Sequence, residues 1–503
     1  MSRPPAVSSF TAPLVVLLTT SWLAASPGAQ REPLLDWFFD AASADDRVAD
    51  AALGRLRGAW RDAYAAMLLD LARFTQPRGE SVTVDVSGVT PRRDPQGLTH
   101  MPVYPGAQFA TIERRLHPSA KVRARLLQFL RQHTGQRFGD DLGRWRQWTW
   151  QLPYQPHAEY LAFKAQVSAG AVPMTAAYFT EGDAAIRLDE VDWTGRDPAH
   201  VPALAMPAMI ASDAVRHVRD DHLVLGLSID GEARAYPLRL VAPHQVVTDR
   251  VGGRDVLLAH CPLSGVSAAY DAQVDGEARR FAVSGLVYRS HSLLADRQTR
   301  QVWSGLTGEP VLNLAGPAGA PLRPLPIEVT TWREWRAAYP ITVVMSADTG
   351  FPFTYAEGAF TPARLARLGL RFAVPVSSTA LRPHASVIGV RPGPSGASVE
   401  KAVAIAVDTR VPDGVRHIES AGVPMVVIAR GRRAAAVYEA PEARFVAREA
   451  DGRLRDEHGR TWRVDADALV REDHPGERAA RVPTVVASWS AWYARFPETE
   501  LVK

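Results

Sequence analysis

The chain has 503 residues, of which 46% are hydrophobic and 22% are charged, as in a soluble globular protein with about three domains of ordinary size. Nearly all of its positive charge comes from arginine, and the formal net charge is only +4. Basic residues are interleaved with acidic residues and form no stripe, so we expect no nucleic-acid partner.

The first 29 residues predict an export signal. Arg3 supplies a positive start, and residues 12–25 are apolar apart from three hydroxyl side chains. This run is shorter than the about 20 residues that span a bilayer, and no later segment is predicted to cross a membrane. We therefore expect a periplasmic or secreted protein, although Pro27 near the cleavage position leaves an uncleaved anchor as the alternative. In such a compartment an unpaired thiol is open to oxidation.

Residues 30–150 predict a helical accessory domain. Apolar residues recur at helical spacing in residues 45–74 and again in residues 120–134, where Gly135 is a suitable C-terminal stop. A cluster of tryptophans closes this segment and favours a helix-packing core over a ligand-stacking surface. The cluster consists of Trp145, Trp148 and Trp150.

From about residue 196 the pattern predicts β-strands. Short runs of valine, isoleucine and leucine alternate with glycine, proline and aspartate, as in residues 222–229. Asp230-Gly231 and Asp275-Gly276 stand between such runs and predict tight turns. We interpret residues 151–199 as a connecting segment between the helices and these strands.

Residues 200–345 and 384–503 share an internal repeat and are joined by a linker at 346–383. Each contains a Trp-x-x-Trp motif followed at the same distance by an aromatic-proline pair, which predicts a short amphipathic helix packed on each copy. Three further segments correspond, namely 224–227 with 387–390, 255–259 with 425–429, and 269–272 with 437–440. The predicted fold class is therefore α+β, with an N-terminal all-α helical domain followed by two tandem β-rich repeats.

Cys261 is the only cysteine in the chain, so it cannot form an intramolecular disulfide. It lies in the hexapeptide His-Cys-Pro-Leu-Ser-Gly, where Ser264 occupies the place of the second sulfur of a Cys-x-x-Cys pair. His260 precedes the thiol, and His244 is the next histidine upstream. The second repeat has Arg-Gly-Arg-Arg at 430–433 instead, which indicates that the fold does not require the Cys261 loop.

The motifs around Cys261 resemble those of a bacterial family of unknown function, DUF3179. The family pattern contains Arg-Ala-Tyr-Pro, a His-Glu segment that ends in Gly-Gly, Tyr-Cys-Pro-Leu-Cys-Gly and Val-Ser-Gly-Leu-Leu-Tyr, followed by a Tyr-Asp-Arg segment with Trp-Ser. The chain matches these motifs in the same order, at residues 234–237, 244–253, 261–265, 283–288 and 296–304.

Several polar positions depart from the family pattern. The second cysteine is Ser264, the glutamate after the histidine is Gln245, and one asparagine is Arg289. Some members of the family carry selenocysteine in place of a cysteine, so the resemblance implies redox use of this site. It also implicates other motif residues as site residues, namely Asp249, Tyr288, Asp296, Arg297 and Trp303.

The first hypothesis is thiol-based redox chemistry or thiol-dependent ligand binding at Cys261, with a thiol or a disulfide as substrate. A protonated histidine, or a backbone nest after Pro262, would lower the thiol pKa from about 8.5 and favour the reactive thiolate. Serine at 264 allows a mixed disulfide but cannot resolve it internally. The catalytic residues would be Cys261, His244, His260 and Ser264. The alternative is a buried cysteine that packs as a small hydrophobe.

Two further hypotheses come from other classes. Cys261, His244 and His260 combine a sulfur ligand with imidazoles, which suits copper or zinc, and His291 is an additional ligand candidate. The third hypothesis is a non-enzymatic module that binds a cell-envelope partner. The sequence lacks the P-loop, zincin, nucleophile-elbow and dinucleotide-binding motifs, so other enzyme classes gain no support.

Overall fold

The computed structural model describes residues 34–74, 89–91, 119–171, 173–180, 182–194, 198–314, 320–355, 370–391, 401–407, 414–420, 422–429, 434–440 and 443–503. The predicted signal segment and the Arg-Gly-Arg-Arg segment of the second repeat lie outside these residues. In the described part of the chain, no helix is both long and apolar enough to cross a membrane.

Most helices lie in the N-terminal third of the chain. Asp45, Ser119 and Asp141 cap three of them, because each side chain accepts a hydrogen bond from a backbone N–H of the first turn. Gly135 ends one helix in the left-handed conformation, at φ 70°, as its position predicts. The helices are α1 (Leu34–Ala41), α2 (Asp46–Gly58), α3 (Tyr64–Phe74), α4 (Ala120–Thr134), α5 (Leu142–Gln151), α6 (Tyr160–Ala171) and α7 (Pro173–Ala176).

Two helical segments differ from the sequence pattern. The continuous periodicity of residues 45–74 divides between α2 and α3, since a turn lets both helices bury their apolar faces in one core. Helices also continue through α6 and α7, within the segment interpreted as a connector. Trp145 is fully buried and Trp148 packs against the same core, as the packing interpretation predicts. This core extends to Tyr288 and Leu293 of the β-rich part, so the helices pack on its strands.

Buried ion pairs join the helices to the strands that follow. Asp70 of α3 accepts a hydrogen bond from Lys164 of α6 at 3.0 Å. Arg73, one turn later, pairs with Asp192, which Arg146 of α5 also contacts at 2.7 Å. Both carboxylates are at most 6% exposed, and a buried charge without a partner is strongly destabilising. The network therefore fixes how the helical region sits on the β-rich region.

Strands dominate the chain after residue 180. The two predicted turns are tight turns with positive φ at Asp230-Gly231 (47° and 84°) and Asp275-Gly276 (52° and 80°). Two short helices, α8 (Leu238–His244) and α9 (Trp332–Ala338), interrupt the first group of strands. The strands up to residue 355 are β1 (Val89–Pro91), β2 (Asp183–Ala184), β3 (Val191–Trp193), β4 (Leu204–Ala205), β5 (Met209–Ala211), β6 (Leu223–Ile229), β7 (Glu232–Pro237), β8 (Val246–Val251), β9 (Arg254–Cys261), β10 (Val266–Asp271), β11 (Gln273–Val274), β12 (Glu277–Ala278), β13 (Phe281–Tyr288), β14 (His291–Asp296), β15 (Val302–Ser304), β16 (Pro310–Leu314), β17 (Pro324–Leu325), β18 (Glu328–Thr331), β19 (Thr342–Met345) and β20 (Phe353–Tyr355).

Among the described residues, the C-terminal part contains a second group of strands and one more short helix, α10 (Trp489–Arg495). These strands are β21 (Ser386–Val390), β22 (Val403–Ala406), β23 (Val415–Ser420), β24 (Val423–Ala429), β25 (Ala435–Glu439), β26 (Phe445–Arg448), β27 (Leu454–Asp456), β28 (Thr461–Val464), β29 (Ala468–Arg471), β30 (Arg478–Ala480), β31 (Val485–Ser488) and β32 (Glu500–Val502).

The strands form several sheets, and the one that carries Cys261 lies between two others. Its order is β32-β22-β21-β31-β10-β9-β8-β4, with β17 also paired to β10. One face of β9 shares a core with the sheet β2-β16-β15-β14-β13-β3, and the other face shares a core with the sheet β18-β6-β7-β19-β5. The predicted α+β class is confirmed in its coarse form: the helices are mainly N-terminal, and the C-terminal part is rich in β-strands.

Four strands in each half pair in the same way. β18, β6, β7 and β19 lie side by side, with two antiparallel pairs followed by a parallel pair. β31, β21, β22 and β32 have the same order and the same directions. Outside these sets, Tyr270 pairs with Pro324 in the first half, and Tyr438 forms an isolated bridge with Arg481 in the second.

A glycine lies beneath the second tryptophan of each short helix. A Cβ atom at Gly226 would lie 2.2 Å from the Trp335 ring, and one at Gly389 would lie 2.1 Å from the Trp492 ring. Each indole N–H donates a hydrogen bond to the hydroxyl of a threonine seven residues later. These positions therefore need glycine because the ring occupies the space of a side chain.

We expect Gly226→Ala to lower the free energy of unfolding by about 1–3 kcal/mol, because the added methyl group overlaps a packed ring. Gly54→Ala in α2 is the control, since no heavy atom lies within 4 Å of its added Cβ. That substitution should raise stability by about 0.5–1 kcal/mol through helix propensity. Urea unfolding followed by circular dichroism measures both, and an equal response of the two variants would contradict the close approach.

Candidate functional site

Cys261 is the last residue of β9, and residues 262–265 form the tight connection to β10. Gly265 has φ 65° there, a conformation that suits glycine. The Cys261 side chain is 3% exposed and pairs across the hairpin with Val266. It lies in the core between its own sheet and the six-stranded sheet, together with Val283 of β13.

His260 lies on the opposite face of the sheet from Cys261, because successive side chains of a strand alternate. Leu257 shares the core of Cys261, whereas Leu258 belongs to the core on the other face. His260 Nδ1 is 2.9 Å from Ser267 Oγ. Burial lowers the pKa of His260 to about 4, so the ring is neutral at pH 7. The strand itself separates these two sequence neighbours.

His244 is fully buried at the end of α8. Its Nδ1 is 2.7 Å from the Pro202 carbonyl oxygen, and its Nε2 is 2.7 Å from the Tyr355 hydroxyl. The ring also contacts Phe351 and Phe353, with centroids 5.3 and 5.2 Å away. Burial lowers its pKa to about 4. Since both ring nitrogens are hydrogen-bonded, the His244 imidazole holds the end of α8 against the aromatic side chains of residues 351–355.

Ser264 is 2% exposed, and its carbonyl oxygen accepts a hydrogen bond from the Ser488 N–H at 2.9 Å. This bond fixes the Cys261 turn to the start of α10. The Ser264 hydroxyl oxygen has no hydrogen-bond partner among the described residues. The structure therefore places Cys261 and Ser264 in one turn but does not bring His244 or His260 to the thiol face, and a shared catalytic role of the four stays a prediction.

Asp249 holds two of the motifs together. It is 3% exposed and accepts hydrogen bonds from the Arg234 guanidinium at 2.7 Å and the Tyr236 hydroxyl at 2.6 Å. The Gly252 N–H, in the Gly-Gly pair of the same motif, donates to Glu232 at 2.8 Å. These contacts join β7 to β8, which gives Asp249 and the Gly-Gly pair a structural role.

Asp296, Arg297 and Trp303 stabilise the six-stranded sheet. Asp296 accepts hydrogen bonds from the Thr299 hydroxyl at 2.7 Å and from a backbone N–H two residues later at 2.8 Å. Arg297 follows Asp296 in the turn after β14, and its backbone N–H donates a hydrogen bond to the carbonyl oxygen of Arg280, the residue before β13. Trp303 is 1% exposed and packs edge-on against Phe281 with centroids 6.0 Å apart.

Tyr288 and His291 flank the turn between β13 and β14, in which residues 289 and 290 both have positive φ. His291 Nε2 is 2.9 Å from Ser304 Oγ, and burial lowers the His291 pKa to about 3. Burial, and next the Glu190 carboxylate, raise the pKa of Tyr288. Tyr288 and Ser304 also line a cavity on this side of the sheet.

A cavity of about 620 Å³, its open mouth included, lies beside the Cys261 turn. Cys261 is not among the residues that line it, but Pro262, the next residue in the chain, is, and Val201 and Val283 of the wall belong to the same core as the thiol. The wall is mainly apolar, as is usual for small-molecule sites. Residues from three of the sequence motifs line it, namely Gln245, Pro262, Leu263, Val283, Gly285 and Leu286.

Gln245 is the residue of this cavity with an unusual backbone. It follows α8 at φ 63°, in the left-handed region that few non-glycine residues adopt, and such strain concentrates at functional sites. Its carbonyl oxygen accepts a hydrogen bond from the His260 N–H at 2.7 Å. Its side-chain oxygen accepts one from Ser292 Oγ at 3.0 Å, which holds the amide at the cavity wall.

Thr194, Ser292 and Arg371 also line the cavity, and the sequence pattern did not select them. Arg371 donates a hydrogen bond to the Thr194 carbonyl oxygen at 3.1 Å. These two residues come from segments interpreted as a connector and a linker, about 180 positions apart, so no local spacing could indicate that they meet. Gln245 did carry a signal, because it replaces the family's glutamate.

The described residues contain no group of three or more His, Cys, Asp or Glu side chains placed to hold a metal ion. His244 is bonded through both nitrogens, His260 faces away from Cys261, and His291 contacts Ser304. The copper or zinc hypothesis stays a prediction, without a ligand set in this part of the chain.

One family model, described as a protein of unknown function (DUF3179), matches residues 198–499. The match confirms the resemblance that the motifs indicate, and it runs through both groups of strands rather than the first alone. No curated protein and no solved structure matches the chain.

The three buried histidines predict acid sensitivity. Their pKa values of about 4, 4 and 3 lie below the ordinary 6.5 because burial disfavours the charged ring. The unfolded chain therefore binds more protons, so stability is complete above about pH 6.5 and falls as the pH drops toward about 4. Each histidine adds a slope of up to about 1.4 kcal/mol per pH unit.

We expect His291→Asn to make the free energy of unfolding less dependent on pH, because one of the three buried histidines no longer contributes to the slope. Ser304→Ala is the control, because it removes the partner but keeps the imidazole buried, and it should retain the slope. Urea unfolding at several pH values between about 7 and about 5 measures the effect. A slope that is equal in the wild-type chain and in His291→Asn would contradict the assignment.

Proposed function

Since the chain belongs to the DUF3179 family, whose function is not known, we propose a function from its site: thiol-dependent binding of a small, largely apolar ligand beside Cys261. One observation carries this proposal. The motif residues Asp249, Asp296 and Trp303 have structural partners, whereas other motif residues, including Gln245 and Leu263, line one cavity next to the thiol. Convergence of separate motifs on a cavity supports ligand binding more than packing.

The wall of the cavity suggests the ligand class. Valine, leucine and proline side chains favour an apolar body. Four polar residues offer orientation, namely Thr194, Gln245, Ser292 and Arg371. The guanidinium group favours a carbonyl or acidic group at one end of the ligand. A sulfur atom in the apolar part would then lie on the Cys261 side.

A single thiol allows one exchange step. The Cys261 thiolate attacks a disulfide R–S–S–R, a bond forms between Cys261 Sγ and one R–S sulfur, the original S–S bond breaks, and R–S⁻ leaves. The chain has no second cysteine, so only an external thiol can release the bound group. This chemistry suits a protein that holds a thiol ligand covalently better than a dithiol oxidoreductase. This exchange step does not require His244 or His260, whose rings are hydrogen-bonded elsewhere.

We also propose that the two groups of strands are copies of one unit. The matching strand orders, the glycine beneath a tryptophan in each half and the Tyr270 and Tyr438 pairings support this relation. Only the first copy has the cysteine, so the second would serve as scaffold. One face of that scaffold, through Trp489 and Trp492, belongs to the core that contains Cys261.

We further propose that the protein is exported to the periplasm or secreted. The apolar segment at residues 12–25 supports this location. In an oxidising compartment an exposed thiol would form intermolecular disulfides. The buried Cys261 thiol is protected from them, and the proposed cavity admits only small thiols or disulfides to it.

The cavity should control access to Cys261. We expect Leu263→Ala to increase the rate at which methyl methanethiosulfonate modifies native Cys261 by about tenfold, because it opens the wall in front of a shielded thiol. Leu381→Ala is the matched control, since Leu381 packs against the same core but does not line the cavity. Stopped-flow mixing or mass spectrometry against time measures the rates. Modification at the global unfolding rate in all variants would defeat the proposal.

Export is tested with the full chain fused at its C-terminus to alkaline phosphatase, which is active only outside the cytoplasm. We expect activity from the wild-type fusion and loss of activity when Leu17 and Leu18 are both changed to arginine, because charges abolish the apolar run. Replacement of both by isoleucine is the control and should preserve activity. An inactive wild-type fusion that is present at normal level would contradict export.

A further inference from the structure

We propose that a second cavity, on the face of the sheet opposite Cys261, binds a small uncharged ligand that carries an aliphatic hydroxyl group. This cavity encloses about 520 Å³, its open mouth included. It lies where the two groups of strands meet: His260 and Ser264 come from the β9–β10 hairpin, Leu223 and Val329 from β6 and β18, and Val486 from β31.

Two buried polar atoms in this cavity point to a ligand. His260 Nε2 and Ser264 Oγ have no hydrogen-bond partner among the described residues, and their residues are 5% and 2% exposed. Buried polar groups are almost always hydrogen-bonded, and an unsatisfied one is costly. Two such atoms from one hairpin, both lining one open cavity, indicate a site that a partner completes.

The hydrogen bonds behind His260 decide which partner it needs. The Ser267 hydroxyl has one proton, and the Gly265 carbonyl oxygen at 3.4 Å is an acceptor for it; when it donates there, its oxygen accepts from His260 Nδ1 at 2.9 Å. With the proton on Nδ1, Nε2 presents a lone pair to the cavity and requires a hydrogen-bond donor.

The remainder of the wall selects an uncharged donor. The titratable side chains that line the cavity are the imidazoles of His260 and His384, and none of the described lining residues is Asp, Glu, Lys or Arg. A charged ligand would lose its hydration there without a counter-charge, which is strongly unfavourable. A hydroxyl group can donate to His260 Nε2 and accept from Ser264 Oγ at the same time. The side chains of Leu223, Val329 and Val486 then suit a short alkyl chain.

This site is separate from the cavity beside Cys261. The two cavities lie on opposite faces of the β9–β10 hairpin and share none of the residues that line them. Pro262 and Leu263 contribute to the first, and Ser264 and Gly265 to the second. Binding in the second cavity therefore does not depend on the thiol, and the two proposals can fail independently.

The test uses the full chain with isotope-labelled histidine and propane-1,2-diol as the probe. We expect a saturable change in the His260 ring resonances, which are assigned by their loss in His260→Gln. Ser264→Ala should weaken this binding by about fivefold or more, because it removes one of the two hydrogen bonds. Cys261→Ala, in which the opposite face is changed, should leave it unaltered.

Acetate and ethylammonium, of similar size but charged, should cause no saturable change at His260. If His260→Gln does not fold, the comparison of Ser264→Ala with Cys261→Ala still decides the result. The proposal is overturned if propane-1,2-diol gives no saturable change, which would mean a water site only. It is also overturned if Ser264→Ala binds as tightly as the wild type, or if a charged probe binds equally well.

Discussion

The constraint on which this structure depends is the alternation of side chains along β9, a strand whose two faces are both covered by other sheets. Its last six residues are all buried, so every side chain belongs to one core or the other. A shift of one residue would exchange the two faces completely. Cys261 and His260 are therefore assigned to opposite cores. His260 lines the second cavity, whereas the first cavity lies beside the Cys261 turn and is lined by neither residue.

The residues of the family motifs fall into two classes according to the contacts that they make in this structure. Asp249 joins β8 to β7 by hydrogen bonds with the buried Tyr236 and the partly buried Arg234. Gln245 and Leu263, in contrast, lie at a cavity wall, and Gln245 does so from a left-handed backbone conformation. The motif residues that only join strands account for the stability of the fold, and the motif residues that line the cavity are the basis of the proposed function.

The two groups of strands depend on each other despite their different contents. Tryptophans of α10 complete the core around Cys261. In the other direction, Arg481 of the second group donates to Glu328 of β18 at 2.7 Å, and both residues are buried. A buried ion pair tolerates the loss of neither partner, so the halves are held in one arrangement. This agrees with a family match that extends through both of them.

Much of the architecture was predictable from local pattern. Helical periodicity with Gly135 as a stop, tight turns at the Asp-Gly pairs, and short helices at the paired tryptophans all depend on neighbours within a few residues. The resemblance to the family likewise follows from the order of motifs. By themselves, these patterns also single out Cys261 as the unusual residue.

Only the tertiary structure decided which residues share a site. Proximity in sequence suggested that His260 assists Cys261, but strand alternation places the ring on the other face, beside Ser267. Thr194 and Arg371 meet at one cavity wall although no spacing relates them. The sequence determines the periodicity of each strand, because that is a local property of the backbone. It does not reveal which faces meet, because that depends on how all the sheets bury their apolar surfaces together.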